Sequence, residues 1–487
     1  MNGKAYDLLV VGGGINGAGI ARDAAGRGLS VLLVEQDDLA SHTSSASTKL
    51  IHGGLRYLEQ YEFRLVREAL IEREILLGIA PHLIQPLTFV LPHKHGTRPA
   101  WMLRLGLFLY DHLGGRKTLP GSHGVSLKGT RWSAGLAPGI AKGFTYADCR
   151  VDDARLTILN ARDAADRGAT IATRTRFLTA ERHDDFWRVT IADGSGERSV
   201  EARAIVNAAG PWVGKVLGWV ADAAPESPPR LVKGSHIVVP RLFDGDHAYI
   251  LQNPDGRIVF AIPYERAFTL VGTTDVAWVG DPAAPHIDAA ETAYLCESIN
   301  RYFTRAITPG DVAYSYAGIR PLYDDGADAA SEVTRDYVLR LGRDEGPQLL
   351  SVFGGKITTY RRLAEHAMEK LAPFLPPMSA PWTAKAPLPG GDMPHADLAA
   401  FTADMRHRWP DLADENAARL ARAYGTRVDR VIGGPDLGGG LTTNEVDYLV
   451  DQEWARTAED ILWRRSKLGL HGGPDAKARL TAYLEGR

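Results

Sequence analysis

Residues 47–58 read S-T-K-L-I-H-G-G-L-R-Y-L and gather Lys49, His52, Arg56 and Tyr57 around the Gly53-Gly54 pair. Ionic and hydrogen-bonding side chains this close to paired glycines suit either a solvated loop or a place where backbone meets a ligand closely. His52 would bring a proton acceptor that works near neutral pH.

The element that would position such a site lies just upstream. Residues 6–35 contain a strand-like run from Tyr6 to Val11, the turn G-G-G-I-N-G, a helix rich in small residues, and a second apolar run ending on Glu35. This pattern predicts a βαβ unit. In it Gly12 permits the tight turn, Gly14 admits a pyrophosphate to the backbone, and Gly17 lets the helix lie against the sheet. The free N–H groups of the helix start then face phosphate, and Glu35 accepts from a ribose. A carboxylate there also disfavours a 2′-phosphate, which leaves FAD or NAD. Two distant stretches favour FAD. Residues 203–213, R-A-I-V-N-A-A-G-P-W-V, bring a second small-residue turn past the dinucleotide. Residues 349–367 place Gly354-Gly355, Lys356, Thr358 and Thr359 at a second helix start, where a reduced flavin's negative charge is stabilised.

Together these stretches resemble the aerobic, FAD-dependent glycerol-3-phosphate dehydrogenases, within the glycine/D-amino-acid oxidase-like flavoproteins. The resemblance rests on G-G-G-I-N-G-A-G-I-A from Gly12, T-S-S-A-S-T-K-L-I-H-G-G-L-R-Y-L-E from Thr43, Y-D-H-L-G from Tyr110 and V-D-D-A-R-L from Val151. It continues through N-A-A-G-P-W-V from Asn207, K-G-S-H-I-V-V-P from Lys233, V-G-T-T-D-V from Val271, G-I-R-P-L from Gly318, T-R-D-Y from Thr334 and F-G-G-K-I-T-T-Y-R from Phe353. W-R-R-S-K-L-G from Trp463 is similar to the family's closing helical domain.

The resemblance implies oxidation of sn-glycerol 3-phosphate to dihydroxyacetone phosphate, with electrons passed to a membrane quinone. It implies FAD contacts from Gly12, Gly14, Asn16, Gly17, Glu35, Ser44, Ser45, Ser47, Lys49, Leu50, His52, Ala209, Gly210, Trp212, Gly354, Gly355, Lys356, Thr358 and Thr359. Arg56, Tyr57, Thr274, Arg320, Arg335 and Lys356 would bind substrate, with His52, Arg320 and Lys356 catalytic. Physics asks for such arginines, because a phosphate monoester carries about −1.5 to −2 charges and prefers forked, permanent donors. His42, in S-H-T, raises covalent flavin attachment as an alternative; non-covalent FAD is the expectation. The competing readings are a D-amino-acid or other small-substrate oxidase on the same scaffold, and a flavin-binding sensor without turnover.

At 487 residues, two or three domains are expected. The fold expected is α/β: a discontinuous Rossmann-like FAD domain (residues 1–80, 146–225 and 335–385), an inserted α+β substrate domain (81–145 and 226–334), and a small C-terminal helical domain (386–487). Basic and acidic residues number 56 and 59, so the net charge of −3 gives no field favouring nucleic acid. Cys149 and Cys296 form neither a metal spacing nor a disulfide framework, and no metal is expected. No leader or membrane-spanning run is apparent. Residues 100–117 mix Trp101, Leu107, Phe108 and Tyr110 with Arg104, Arg116 and Lys117, which suits either an interfacial helix or a buried one. The expectation is a cytoplasmic protein held peripherally on the inner face of the cell membrane, with a homodimer left open.

Overall fold

A computed structural model describes residues 5–94, 98–115, 117–221, 228–324, 336–342 and 346–487. Arg335 and Arg116 lie outside the described residues.

The apolar runs of the βαβ unit form central strands. Leu8, Leu9 and Val10 are fully buried, as a parallel strand covered on both faces requires. Ala5–Val11 pairs in parallel with Val31–Val34 on one side and Gly196–Asn207 on the other. Thr170–Ala172 and Gln348–Phe353 extend the parallel sheet outward, and Val338–Leu341 closes one edge antiparallel. Segments near residues 10, 205 and 350 thus converge on adjacent strands of one sheet. Ile15–Gly26 packs between the helices Asp153–Asp166 and Tyr360–Leu371. Small residues permit that closeness: a Cβ on Gly19 would lie 2.7 Å from the Tyr360 ring.

A second sheet has ten strands. The strands Arg230–Pro240, Ala248–Gln252, Ile258–Tyr264 and Phe268–Gly272 lie side by side in it. Tyr314–Leu322 joins the edge by pairing antiparallel with Arg230–Pro240. The two sheets interleave more finely than a boundary at 145/146 allows. Lys142–Val151 lies wholly in the second sheet, and Leu50–Ile51 of the opening stretch pairs with it.

A helix spans Phe63–Ile79, with Val66, Leu70 and Leu77 inward and Phe63 at the surface. After an irregular proline-rich segment, the C-terminal domain packs the helices Asp414–Tyr424, Thr443–Glu453 and Gly473–Glu485 around Leu420, Tyr424, Val446, Leu449, Ile461 and Leu480.

Candidate active site

Gly12 and Gly17 show why the first turn is glycine. Gly12 adopts φ +109°, and a Cβ on Gly17 would stand 1.9 Å from the Gly12 carbonyl oxygen. The following helix has Gly14 as N-cap with no side-chain cap, so its start faces the channel beside it. Ser44 Oγ accepts the Ile15 N–H at 2.9 Å, and buried Glu35 accepts from the N–H groups of Gly13 (2.6 Å) and Asp37 (2.9 Å). Burial raises the Glu35 pKa, opposed by these N–H donors.

A channel runs from this turn. Its inner part, of about 170 Å³, is lined by Gly12, Gly14, Asn16, Glu35, Ala209, Gly210 and Trp212. Ser44, Gly354 and Gly355 are shared with an adjoining cavity of about 860 Å³. Asn16 Nδ2 donates to the Gly354 carbonyl at 3.0 Å, which ties the two glycine turns together. Gly354 and Gly355 both have positive φ, 72° and 95°, and a Cβ on Gly355 would meet Asn16 at 2.7 Å. A glycine-led helix start, a buried carboxylate and glycine walls in one channel fit a dinucleotide.

The larger cavity collects Ser47, Leu50, His52, Arg56, Tyr57, Arg320, Lys356 and Thr358 on one wall system. Gly53 N–H donates to Tyr110 Oη at 2.8 Å, and that hydroxyl donates to Asp148, which also takes Arg73 at 2.6 Å. This buried network seats the glycine pair. His52 stands beside it, its backbone N–H 3.3 Å from Thr358 Oγ1. Burial lowers its pKa, Lys356 and Arg73 add to that, and Asp148 opposes it. The imidazole is therefore neutral at neutral pH. Lys356 Nζ lies 3.7 Å over the Tyr57 ring. Arg320 donates to Thr273 Oγ1 at 3.0 Å and to Asp275.

Several expected contacts lie elsewhere. Thr274 is 1% exposed; its hydroxyl accepts the Ser235 N–H at 2.9 Å and donates to Glu291 at 2.7 Å, away from the cavity. Its neighbours Thr273 and Asp275 line the wall instead. Lys49 does not reach the channel either. Its ammonium binds Asp153 at 2.8 Å and the Ser45 carbonyl at 2.9 Å, which braces the loop from behind. Ser45 turns its hydroxyl onto the His42 carbonyl at 3.2 Å, Thr359 is 1% exposed, and Gly17 acts through Gly12 rather than on the wall. His42 does line the inner channel, but its Nε2 pairs with Asp37 at 2.9 Å and its ring meets Trp212 edge-on.

Several wall residues were not anticipated as site residues. Among them His236 stacks on Tyr316 and shares a 3.0 Å hydrogen bond with Thr48, and burial holds its pKa down to about 3. Asp148 is another. Strand alternation carries the missed signal: Gly234 and His236 face the cavity, whereas Ser235 faces Glu291.

Comparison with known proteins agrees with this geometry. Residues 7–361 match the family profile described as FAD dependent oxidoreductase, and residues 381–485 match the C-terminal domain of alpha-glycerophosphate oxidase. The chain is 55% identical to a glycerol-3-phosphate dehydrogenase of Pseudomonas aeruginosa, over 99% of this chain and 95% of that one. It is 52% identical to a D-erythritol 1-phosphate dehydrogenase of Brucella abortus, over 96% and 95%. A solved glycerol-3-phosphate dehydrogenase from Bacillus halodurans, complexed with FAD, superposes with a TM-score of 0.74 at 27% identity, covering 99% of this chain and 94% of the other. The chain belongs to the FAD-dependent glycerol-3-phosphate dehydrogenase family of oxidoreductases.

Proposed function

We propose that this enzyme oxidises sn-glycerol 3-phosphate at C2 to dihydroxyacetone phosphate and passes the electrons to a quinone in the bilayer. The observation that carries the reading is one cavity wall bearing Arg56, Arg320, Lys356 and His52 and opening into the glycine-lined dinucleotide channel. FAD, when bound, supplies the hydride acceptor.

The cationic groups hold the dianionic phosphate and orient C2, with Arg335 a further candidate outside the described residues. His52, kept neutral by its setting, takes the hydroxyl proton. Arg320 or Lys356 stabilises the developing alkoxide. The buried Tyr110–Asp148–Arg73 network keeps the His52 loop in place.

A second reading, oxidation of a tetritol phosphate, is favoured by the 52% identity to the Brucella abortus enzyme, nearly as high as that to the Pseudomonas aeruginosa one. Values of kcat/KM for glycerol 3-phosphate and D-erythritol 1-phosphate with a soluble dye acceptor decide the matter. A preference for glycerol 3-phosphate supports the first reading, and a preference for the tetritol ester replaces it.

Peripheral membrane contact belongs to the same proposal. No helix among the described residues is long and apolar enough to cross a membrane. Ala100–Leu113 divides its apolar residues: Leu107 and Tyr110 turn into the core, whereas Trp101 (70% exposed), Leu105 and Phe108 (both 51%) face outward. Tyr61 and Phe63 lie beside them at the rim of the cavity. Arg104 donates to the Ser122 hydroxyl at 3.0 Å and keeps its charge beside that apolar face. This rim would place the cavity mouth at the inner face of the cell membrane, within reach of a quinone.

A further inference from the structure

Among the described residues, the channel and cavity are lined by nothing beyond Thr358, so the C-terminal domain touches neither. Yet four residues in one short segment of that domain, Trp463, Arg464, Arg465 and Lys467, reach three separate parts of the site.

On the ribose side, buried Asp38 accepts from Arg464 Nε at 2.6 Å and Arg465 Nη2 at 2.8 Å. Asp38 lies three residues past Glu35, and Ala40 N–H donates to the Gly13 carbonyl at 3.2 Å. The two arginines therefore fasten the loop that joins the ribose carboxylate to the phosphate turn. Arg464 also pairs with Asp460, which takes Arg174 at 2.6 Å, and the Arg174 N–H donates to the Asp37 carbonyl at 2.8 Å.

On the flavin side, Lys467 Nζ lies 3.4 Å from Asp152, and the next residue, Asp153, holds both Lys49 and Ser47 of the flavin loop. Arg155, on the same helix, donates to the Ala423 carbonyl at 2.8 Å and to Glu453, whose carbonyl takes Arg465 at 2.6 Å. On the substrate side, Trp463 stacks on Tyr314 with centroids 4.1 Å apart. Tyr314 begins the strand that carries Arg320, and Tyr316 on it donates to the Ser47 carbonyl at 2.8 Å.

We propose that Trp463–Lys467 is a cofactor-positioning clamp, which sets the ribose-side loop, the flavin-side loop and the Arg320 strand relative to one another and so governs how tightly FAD is held. These are positioning residues. Ion pairs this buried lose much when one partner is removed, so destabilisation alone must be separated from loss of positioning.

The test measures release of FAD from the diluted full-length holoenzyme by flavin fluorescence, beside Tm and KM at saturating FAD. Arg464→Met and Arg465→Met are compared with Arg419→Met. The last breaks the Arg419–Glu445 pair (2.6 Å) within the C-terminal domain, away from the FAD loops. The expected result is at least a tenfold weaker hold on FAD for Arg464→Met and Arg465→Met, KM within about twofold, and partial recovery in the lysine variants. Arg419→Met should keep the parental FAD affinity at a similar loss of Tm. If Arg465→Met does not fold, Arg464→Met decides by itself, since its side chain is 14% exposed. Parental FAD retention in the clamp variants, or equal loss in Arg419→Met, overturns the proposal.

Discussion

Replacing Arg320 by methionine removes a cation that Thr273 and Asp275 fix on the cavity wall. The guanidinium is 30% exposed and pairs with Asp275, itself 32% exposed. A hydrogen bond to a charged partner contributes about 1.5–3 kcal/mol, which is the loss expected when the phosphate or alkoxide goes without it. The substitution also leaves the Asp275 carboxylate facing an anionic substrate. Because both groups are partly exposed, screening limits that repulsion to about 1 kcal/mol. The sum, roughly 2.5–4 kcal/mol, corresponds to a fall in kcat/KM of about 10² to 10³. The assay is steady-state oxidation of glycerol 3-phosphate with a dye acceptor, at matched flavin content. Arg320→Met with Asp275→Asn should recover about fivefold over Arg320→Met alone, because the repulsive carboxylate is gone. A fall mainly in KM assigns Arg320 to the phosphate, and a fall mainly in kcat assigns it to the alkoxide. A variant within threefold of the parent would refute the placement of substrate against this wall.

The folded-state pKa of His52 is lowered by burial, so the base form is present at neutral pH and is lost only as pH falls below the ordinary histidine value. Flavin reduction should therefore decline on the acid side of about 6.5, and His52→Ala should lose that limb and react ~10²-fold or more slowly; an unchanged pH–rate profile removes His52 as the base. Gly17→Ala must separate a Cβ from an oxygen 1.9 Å away, so the helix shifts off the sheet. An overpacking cost of about 3 kcal/mol and loss of FAD are expected by calorimetry and absorbance, and a normal holoenzyme contradicts this. Trp101→Ser with Phe108→Ser should release the protein from sedimented liposomes at unchanged dye-linked activity, whereas persistent sedimentation shows that this face is not the contact.

What could be read from the residues depended on how many residues carried each signal. The βαβ unit was legible because strand, turn, helix and terminal acid agree over thirty positions, and Gly12 and Gly17 each answer a close backbone approach. Side-chain direction was less so. The aim of Thr274 against Thr273 turns on a one-residue register that the apolar pattern around it does not set. Lys49 and Asp153 are 104 residues apart, so nothing local marks the lysine as spent. The Thr442 hydroxyl likewise accepts the Glu445 N–H at 3.4 Å, a local contact, while the Glu445 carboxylate is drawn off to Arg419 and Tyr424. His236 and Asp148 were hidden because strand residues reveal their face only once a cavity is known.

The most direct measurement mixes the oxidised holoenzyme anaerobically with glycerol 3-phosphate, D-alanine or succinate and follows the yellow absorbance. The account predicts stoichiometric bleaching by glycerol 3-phosphate and none by the other two. Bleaching by D-alanine with glycerol 3-phosphate inert, or no bleaching by any of them, would contradict it.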